Sequence, residues 1–296
     1  MWSGEVKVVV AAIQMPAELL AKAENLERAD TLLREAHLGE ARLAVLPEMC
    51  ITGYGVLPDY ARVAETRTGP TISHMLERSR RWRMAIAFGF VEREGRHLYD
   101  ALALCQPDGA VHVYRKQNLV FWERFRFRPG SSPLVVRTPF GRVGLGICAD
   151  MIYQRIWDGY RDRIDLAVLA AAWPDFANRH TGRKHWLMGK IGPMSAEIPA
   201  TVGRDLNVPV VFSNQCGPTH TTIPMLGMWI AERLPDRFAG CSSICDGRHG
   251  PPVMAGGDEE IVLSSVTLHS ARGPKSCHFM SPSAVATVSS SVAEWR

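Results

Sequence analysis

Between Met84 and Ala170 apolar runs follow one another, each too short to make a stable helix: Met84–Val91, Ala101–Cys105, Val111–Tyr114, Leu134–Arg137, Arg142–Ile147 and Ile164–Ala170. Runs of this length, rich in β-branched residues and bounded by turn residues, read as strands. Pro107-Asp108-Gly109 and Pro139-Phe140-Gly141 each fold one pair of them into a hairpin. Val8–Ile13, Leu43–Leu46, Val208–Ser213 and Glu260–Leu268 add further strands. Leu19, Leu26, Ala29, Leu33 and Ala36 recur at helical spacing, which predicts a helix over Ala17–Leu38 stopped by Gly39. A second helix is predicted over Pro70–Trp82, with proline in its first turn, and a third within Lys184–Asp205. Helices placed between groups of strands define an α/β chain with a mixed sheet or two sheets.

Composition narrows the class. The 296 residues are 46% hydrophobic and 22% charged, ordinary globular values that exclude a disordered, collagen-like or coiled-coil chain. A chain of this length buries a large core without a disulfide or metal staple. The net charge of +4 is spread along the sequence, which argues against a nucleic-acid or membrane-surface partner. No run reaches the length of a membrane span. Met1–Lys7 lacks the pattern of a secretory leader, and seven scattered cysteines do not make a disulfide framework. Reduced thiols in a cytoplasm are expected. Cys241 and Cys245 have no second Cys or His pair at ligand spacing, so no metal site is expected there.

Three strand ends carry reactive groups, where α/β proteins commonly present them. Leu43-Ala44-Val45-Leu46-Pro47-Glu48 ends an apolar strand on a carboxylate. Partly desolvated, such a group is a usable base; the plainer reading is a carboxylate satisfying backbone donors. Val111–Lys116 ends on a lysine, which taken alone is a solvated strand end. Val143-Gly144-Leu145-Gly146-Ile147-Cys148 breaks at a cysteine, with Gly144 and Gly146 expected to admit other backbone. Cysteine alone is as often a core residue. Together the three supply a nucleophile, a base for its proton, and a cation for the oxyanion that forms when the thiol attacks a carbonyl or nitrile carbon.

LAVLPEMCITGYG, VYRKQNL, TPFGRVGLGICAD and PVVFSNQCG, in this order, resemble the blocks of the nitrilase superfamily, the carbon–nitrogen hydrolases; FAGCSSICDG matches more loosely. The resemblance runs from about Val8 to Leu268 and implies a four-layer αββα sandwich. It implies residues 1–270 as one hydrolase domain and 271–296 as a tail that packs on a dimer partner. It implies Glu48 as general base, Lys116 as transition-state stabiliser and Cys148 as nucleophile, with a thioester intermediate and no cofactor or metal. A second family glutamate falls on Glu123, before Pro129-Gly130, with the role of orienting Lys116 or the substrate. Glu123 also lies among Arg124, Arg126 and Arg128, where the plain alternative is a surface ion pair. The backbone N–H of Ala149 would share the oxyanion with Lys116. Tyr54 and Trp173 are candidate substrate contacts, and Asn214 a support for them.

The residues after the nucleophile indicate the branch. Asp150 two residues after Cys148 resembles amidase and carbamoyl-hydrolase members, whereas nitrilases tend to carry Trp-Glu. The expected substrate is therefore a small linear amide or carbamoyl compound, with ammonia released. A nitrile hydrolase or an amide acyltransferase is the alternative within the family, and a catalytically silent binding protein the alternative outside it. Arg155 is a candidate grip for a substrate carboxylate, and Met151, Tyr153 and Trp157 for an apolar tail. A Cys–His scheme would need His180, His185 or His220, none of which lies on a motif. A homodimer or larger homo-oligomer is expected.

Overall fold

The computed structural model describes residues 5–56, 58–120, 122–175, 194–221, 237–248 and 250–269, with the side chains of Val56, Met194, His220 and Thr221 left out. The predicted tail and most of the loop after Trp173 lie outside them. In chain order the elements are β1 (Glu5–Gln14), α1 (Lys22–Leu38), β2 (Leu43–Val45), β3 (Gly55–Val56), α2 (Pro70–Trp82), β4 (Ala85–Glu94), β5 (His97–Cys105), β6 (Val111–Arg115), β7 (Val135–Thr138), β8 (Gly141–Ile147), α3 (Gln154–Asp158), β9 (Leu166–Ala171), α4 (Met194–Leu206), β10 (Val210–Asn214), β11 (His220–Thr221), β12 (Ser243–Cys245), β13 (Val253–Met254) and β14 (Glu260–His269).

Two six-stranded mixed sheets form, in the orders β14-β1-β2-β4-β5-β6 and β13-β12-β10-β9-β8-β7. Alternation along the strands assigns each side chain to a layer. Val8, Val10 and Ala12 of β1, Val45 of β2 and Leu102 and Leu104 of β5 pack against Val143, Leu145, Val168 and Phe212 of the second sheet. The intervening residues, such as Ala11, Ile13, Ala44, Phe88 and Ala103, face outward onto Leu32 and Leu33 of α1 and Ile72 and Met75 of α2. Ile156, Trp157 and Val202, on α3 and α4, join the core on the second sheet's side. The layers are therefore helix, sheet, sheet, helix: the αββα sandwich.

Helix α1 starts later than its apolar spacing predicts. The Asn25 side chain donates to Glu18 O (2.7 Å) and Ile51 O (3.1 Å) and accepts from Glu18 N (2.8 Å), tying the preceding segment to the Glu48 loop. Leu20 adopts a positive φ of 61°, which no helix tolerates. The glycines of β8 also serve a different purpose from the one expected. A Cβ at Gly144 would stand 3.0 Å from Tyr160 Cδ1, and one at Gly146 3.0 Å from Trp157 Cη2. They admit aromatic rings, and those rings seat the turn that follows Cys148. Trp157 is thus a core residue, its Nε1 donating to Met151 O at 3.1 Å, and Met151 is buried with it. Neither is free for an apolar substrate tail. Among the described residues no helix is long and apolar enough to cross a membrane.

Candidate active site

Strands β2, β6 and β8 deliver their terminal residues to one buried point. Glu48 follows β2 on a loop that Gly89 of β4 admits: a Cβ there would stand 2.2 Å from Met49 N and 2.6 Å from Glu48 Cα. Gly89 N donates to Pro47 O at 3.1 Å, and Gln215 Nε2 to Glu48 O at 2.8 Å. Lys116 follows β6; its N donates to Asp100 O (2.9 Å) and its O accepts from Gly130 N (2.8 Å). Cys148 opens a short turn, Cys148–Ile152, with a positive φ of 45°. A non-glycine residue in that region stores strain, as at a nucleophile elbow.

Lys116 and Glu48 are both fully buried, and so is all but a trace of Glu123. Lys116 Nζ lies 2.6 Å from Glu48 Oε1 and 2.6 Å from Glu123 Oε1. Both plain alternatives are thereby excluded: Lys116 is no solvated strand end, and Glu123 binds Lys116 within the core. Glu48 Oε2 accepts Ala172 N at 2.6 Å, linking the end of β2 in one sheet to the end of β9 in the other. Glu123 also accepts from Tyr54 Oη (2.7 Å) and Val120 N (2.9 Å), and Trp122 Nε1 donates to Tyr54 Oη at 2.9 Å. The Tyr54 hydroxyl is thus engaged within the protein.

Electrostatics follow from this burial. Burial alone would push the Lys116 ammonium down, but Glu123 and Glu48 outweigh it and hold it well above the ordinary lysine range. Burial, then the Glu48 charge, pushes the Cys148 thiol well above its ordinary range, against the pull of Lys116. A thiol raised in this way needs a base before it can act as a nucleophile. Glu48 is the carboxylate in contact with it. Glu48, Asp100 and Glu123 place their oxygens within 4.8 Å of one another, a set that could hold a cation; the Lys116 ammonium is the cation they surround.

Two residues that strand-end reasoning passes over complete the surroundings. Asp150, a branch marker in the sequence, accepts from Tyr114 Oη (2.8 Å), Gln117 N (3.2 Å), Asn118 N (2.8 Å), Asn118 Nδ2 (2.9 Å) and Ile147 N (3.2 Å). It clamps the turn after Lys116 to the turn that carries Cys148. Asp100 stands mid-strand in the apolar run of β5, and its Oδ2 lies 3.3 Å from Lys116 Nζ. A charged residue inside an apolar strand is the signal that could have found it.

Asn214 Oδ1 accepts Trp173 N at 2.7 Å, and its Nδ2 donates to Gly240 O at 2.8 Å, so it holds the Trp173 backbone. Trp173 is buried and Ala149 lies in the turn that Cys148 opens. Arg155 is exposed and donates to Asn118 Oδ1 at 2.5 Å. Tyr153 is half-buried beside the Arg155 guanidinium, 5.5 Å from it. His180 and His185 lie outside the described residues, and only the backbone of His220 is described. Cys241 Sγ donates to Ala239 O at 3.4 Å.

A sandwich of this form with a buried Glu–Lys–Cys cluster defines a class, and comparison with known proteins names it. The sequence model of the carbon-nitrogen hydrolases matches residues 9–227, and the chain belongs to that family. It is 33% identical over 190 residues to omega-amidase NIT2 of Bos taurus, across 60% of this chain and 66% of that one. It is 32% identical over 150 residues to a nitrilase of Pyrococcus abyssi, across 49% of this chain and 57% of the other. The matched stretch thus spans roughly two thirds or less of these relatives' own length. The fold is similar to that of XC1258 from Xanthomonas campestris, a CN-hydrolase superfamily protein, with a TM-score of 0.70 at 21% identity, covering 95% of this chain and 93% of that one.

Proposed function

We propose that this protein hydrolyses a small linear amide or carbamoyl compound through a thioester on Cys148 and releases ammonia. The observation that carries the reading is the Lys116 ammonium bridging Glu48 and Glu123 at 2.6 Å beside the buried Cys148 thiol, which burial and the Glu48 charge push up. Glu48 takes the Cys148 proton as sulfur attacks the carbonyl carbon. The C=O pair moves onto oxygen, where Lys116 and the Ala149 N–H stabilise the charge. Collapse of the tetrahedral intermediate expels the amine, protonated by Glu48, and leaves the acyl group on sulfur. Glu48 then deprotonates water, which attacks the thioester and regenerates the thiol. Glu123 holds Lys116 in line, with Tyr54 holding Glu123. Trp173 and the Asn214 beneath it line the substrate side.

The amide reading is preferred to the nitrile one because Asp150 follows the nucleophile and because an omega-amidase stands among the relatives. The same reading has residues 1–270 as the hydrolase domain, 271–296 as a tail on a partner, and a homodimer at work in the cytoplasm. Ammonia release from a panel of amides, carbamoyl compounds and nitriles, run beside Cys148→Ala, tests it. Release from the amide or carbamoyl set, abolished in the variant, is expected. Release by the variant at the wild-type rate contradicts the nucleophile, and release from nitriles alone contradicts the substrate class.

A further inference from the structure

The proposed reaction uses Glu48, Lys116, Glu123 and Cys148, and leaves one buried ionisable group beside them unused. Asp100 is 1% exposed, and neither of its side-chain oxygens receives a hydrogen bond from any donor among the described residues. Its neighbours are better provided. Glu48 accepts from Lys116 Nζ and Ala172 N, and Glu123 from Lys116 Nζ, Tyr54 Oη and Val120 N. Asp100 has only the ammonium at 3.3 Å, already engaged by two closer carboxylates.

Charge counting gives the same result. One ammonium cannot neutralise three carboxylates removed from water, and when carboxyl groups share a buried site the least supported one keeps its proton. The ionisable groups facing Asp100 are Glu48 from the end of β2, Lys116 from the end of β6 and Glu123 from the turn beyond it, with Tyr60 nearby. One carboxylate oxygen of Glu48 and one of Asp100 lie within 4.8 Å of each other, with no other side-chain donor on Asp100 among the described residues. We propose that Asp100 is a neutral carboxylic acid in the folded protein, and that by donating its proton in a hydrogen bond to Glu48 it is the positioning residue that fixes the general base. Burial, and then the Glu48 charge, push the Asp100 carboxyl well above its ordinary range, as this requires. A buried acid kept neutral so that it can donate is a known device of active sites.

The hydrogen bond leaves Glu48 held on three sides, by Lys116, Ala172 N and Asp100, with Cys148 on the fourth. It also leaves the cluster with two carboxylates about one ammonium. Asn at this position would reproduce a neutral donor, and Ala would not.

The inference rests on the proposed reaction only for its kinetic consequence, and the test separates the two. Wild-type protein carrying 13C-carboxyl aspartate is compared with Asp100→Asn by infrared difference spectroscopy at neutral pH. The expected result is a protonated-carboxyl C=O band that shifts in D2O and is lost in the variant. Absence of the band in wild type, or its survival in the variant, overturns the proposal. Should Asp100→Asn fail to fold, Asp100→Ser takes its place for the assignment.

Thermal unfolding gives an independent sign. A carboxyl held protonated in the fold makes folding take up a proton, so wild type loses stability relative to Asp100→Asn as pH rises above the unfolded value of about 3.9. The Tm of the variant relative to wild type should rise as pH rises. A relative Tm that falls as pH rises means an ionised Asp100 held by Lys116, and overturns the proposal. Where ammonia release is observed, Asp100→Ala should lose roughly 10-fold to 100-fold in kcat with KM little changed, and Asp100→Asn should recover most of it. Equal loss in both variants contradicts the neutral-donor role. If no substrate is hydrolysed at all, the proposed function fails while the spectroscopic and thermal results still decide the proton.

Discussion

A methyl group placed on Gly89 would stand 2.6 Å from the Cα of Glu48, and closer still to the backbone N of Met49, at 2.2 Å. The atoms it would meet are backbone, which cannot swing aside. Glu48, the proposed general base, is therefore seated by a missing side chain on the adjacent strand β4. Gly89→Ala should push the Pro47–Met49 loop away, costing about 1–3 kcal/mol of stability and most of kcat. Thermal unfolding and steady-state kinetics on the variant check this. A variant with wild-type kcat would mean that Glu48 tolerates displacement.

Lys116 is the counter-charge for two buried carboxylates. Lys116→Met should cost about 3–5 kcal/mol in denaturant unfolding, because it leaves those charges unpaired. Adding Glu123→Gln to it should recover part of the stability and none of the activity. Lys116→Arg should not restore activity, since a planar fork does not fit the place of a compact ammonium.

Tyr54 is a candidate substrate contact by sequence, yet its hydroxyl is engaged between Trp122 Nε1 and Glu123 Oε1. Tyr54→Phe leaves both without that partner, at about 1–3 kcal/mol. The kinetic consequence should be a lower kcat at unchanged KM, because Glu123 and with it Lys116 loosen. A KM effect alone would return Tyr54 to direct substrate contact.

The legible part of this site is its chemistry at strand ends. Glu48, Lys116 and Cys148 each close an apolar run; each alone has a plain reading, and only the three together, in this order, supply a base, a cation and a thiol. Glu123 needs the family resemblance, because its neighbours in sequence are arginines and its partner in space is Lys116. Asp100 and Asp150 need the pairing itself. Whether an acid on β5 lies beside Lys116 depends on the register of Ala101 with Arg115, which no local pattern encodes. The same limit applies to Gly144 and Gly146, whose small size is plain in the sequence and whose aromatic neighbours are not.

On the outer face, Asp30 of α1 accepts from His74 Nε2 at 2.8 Å and Arg78 Nη2 at 2.9 Å of α2. Burial alone would raise its carboxyl, but the bonds from Arg78 and His74 outweigh that and hold it below the ordinary aspartate range. A depressed folded value gives stability that is present above the unfolded value of about 3.9 and lost as pH falls through the folded one. The group is partly solvated, so Asp30→Asn should cost less than about 1 kcal/mol at neutral pH, and less again in high salt. Unfolding curves of wild type and variant should converge in acid; a gap that persists there contradicts the ion-pair account.

The central claim is that Cys148 carries the acyl group. The most direct measurement is mass spectrometry of enzyme quenched in acid during turnover of a substrate from the ammonia screen, followed by peptide mapping. The account predicts a mass increase equal to the substrate's acyl group, located on Cys148 and absent from Cys148→Ala. Ammonia release with no adduct on Cys148, or with the adduct on another cysteine, would contradict it.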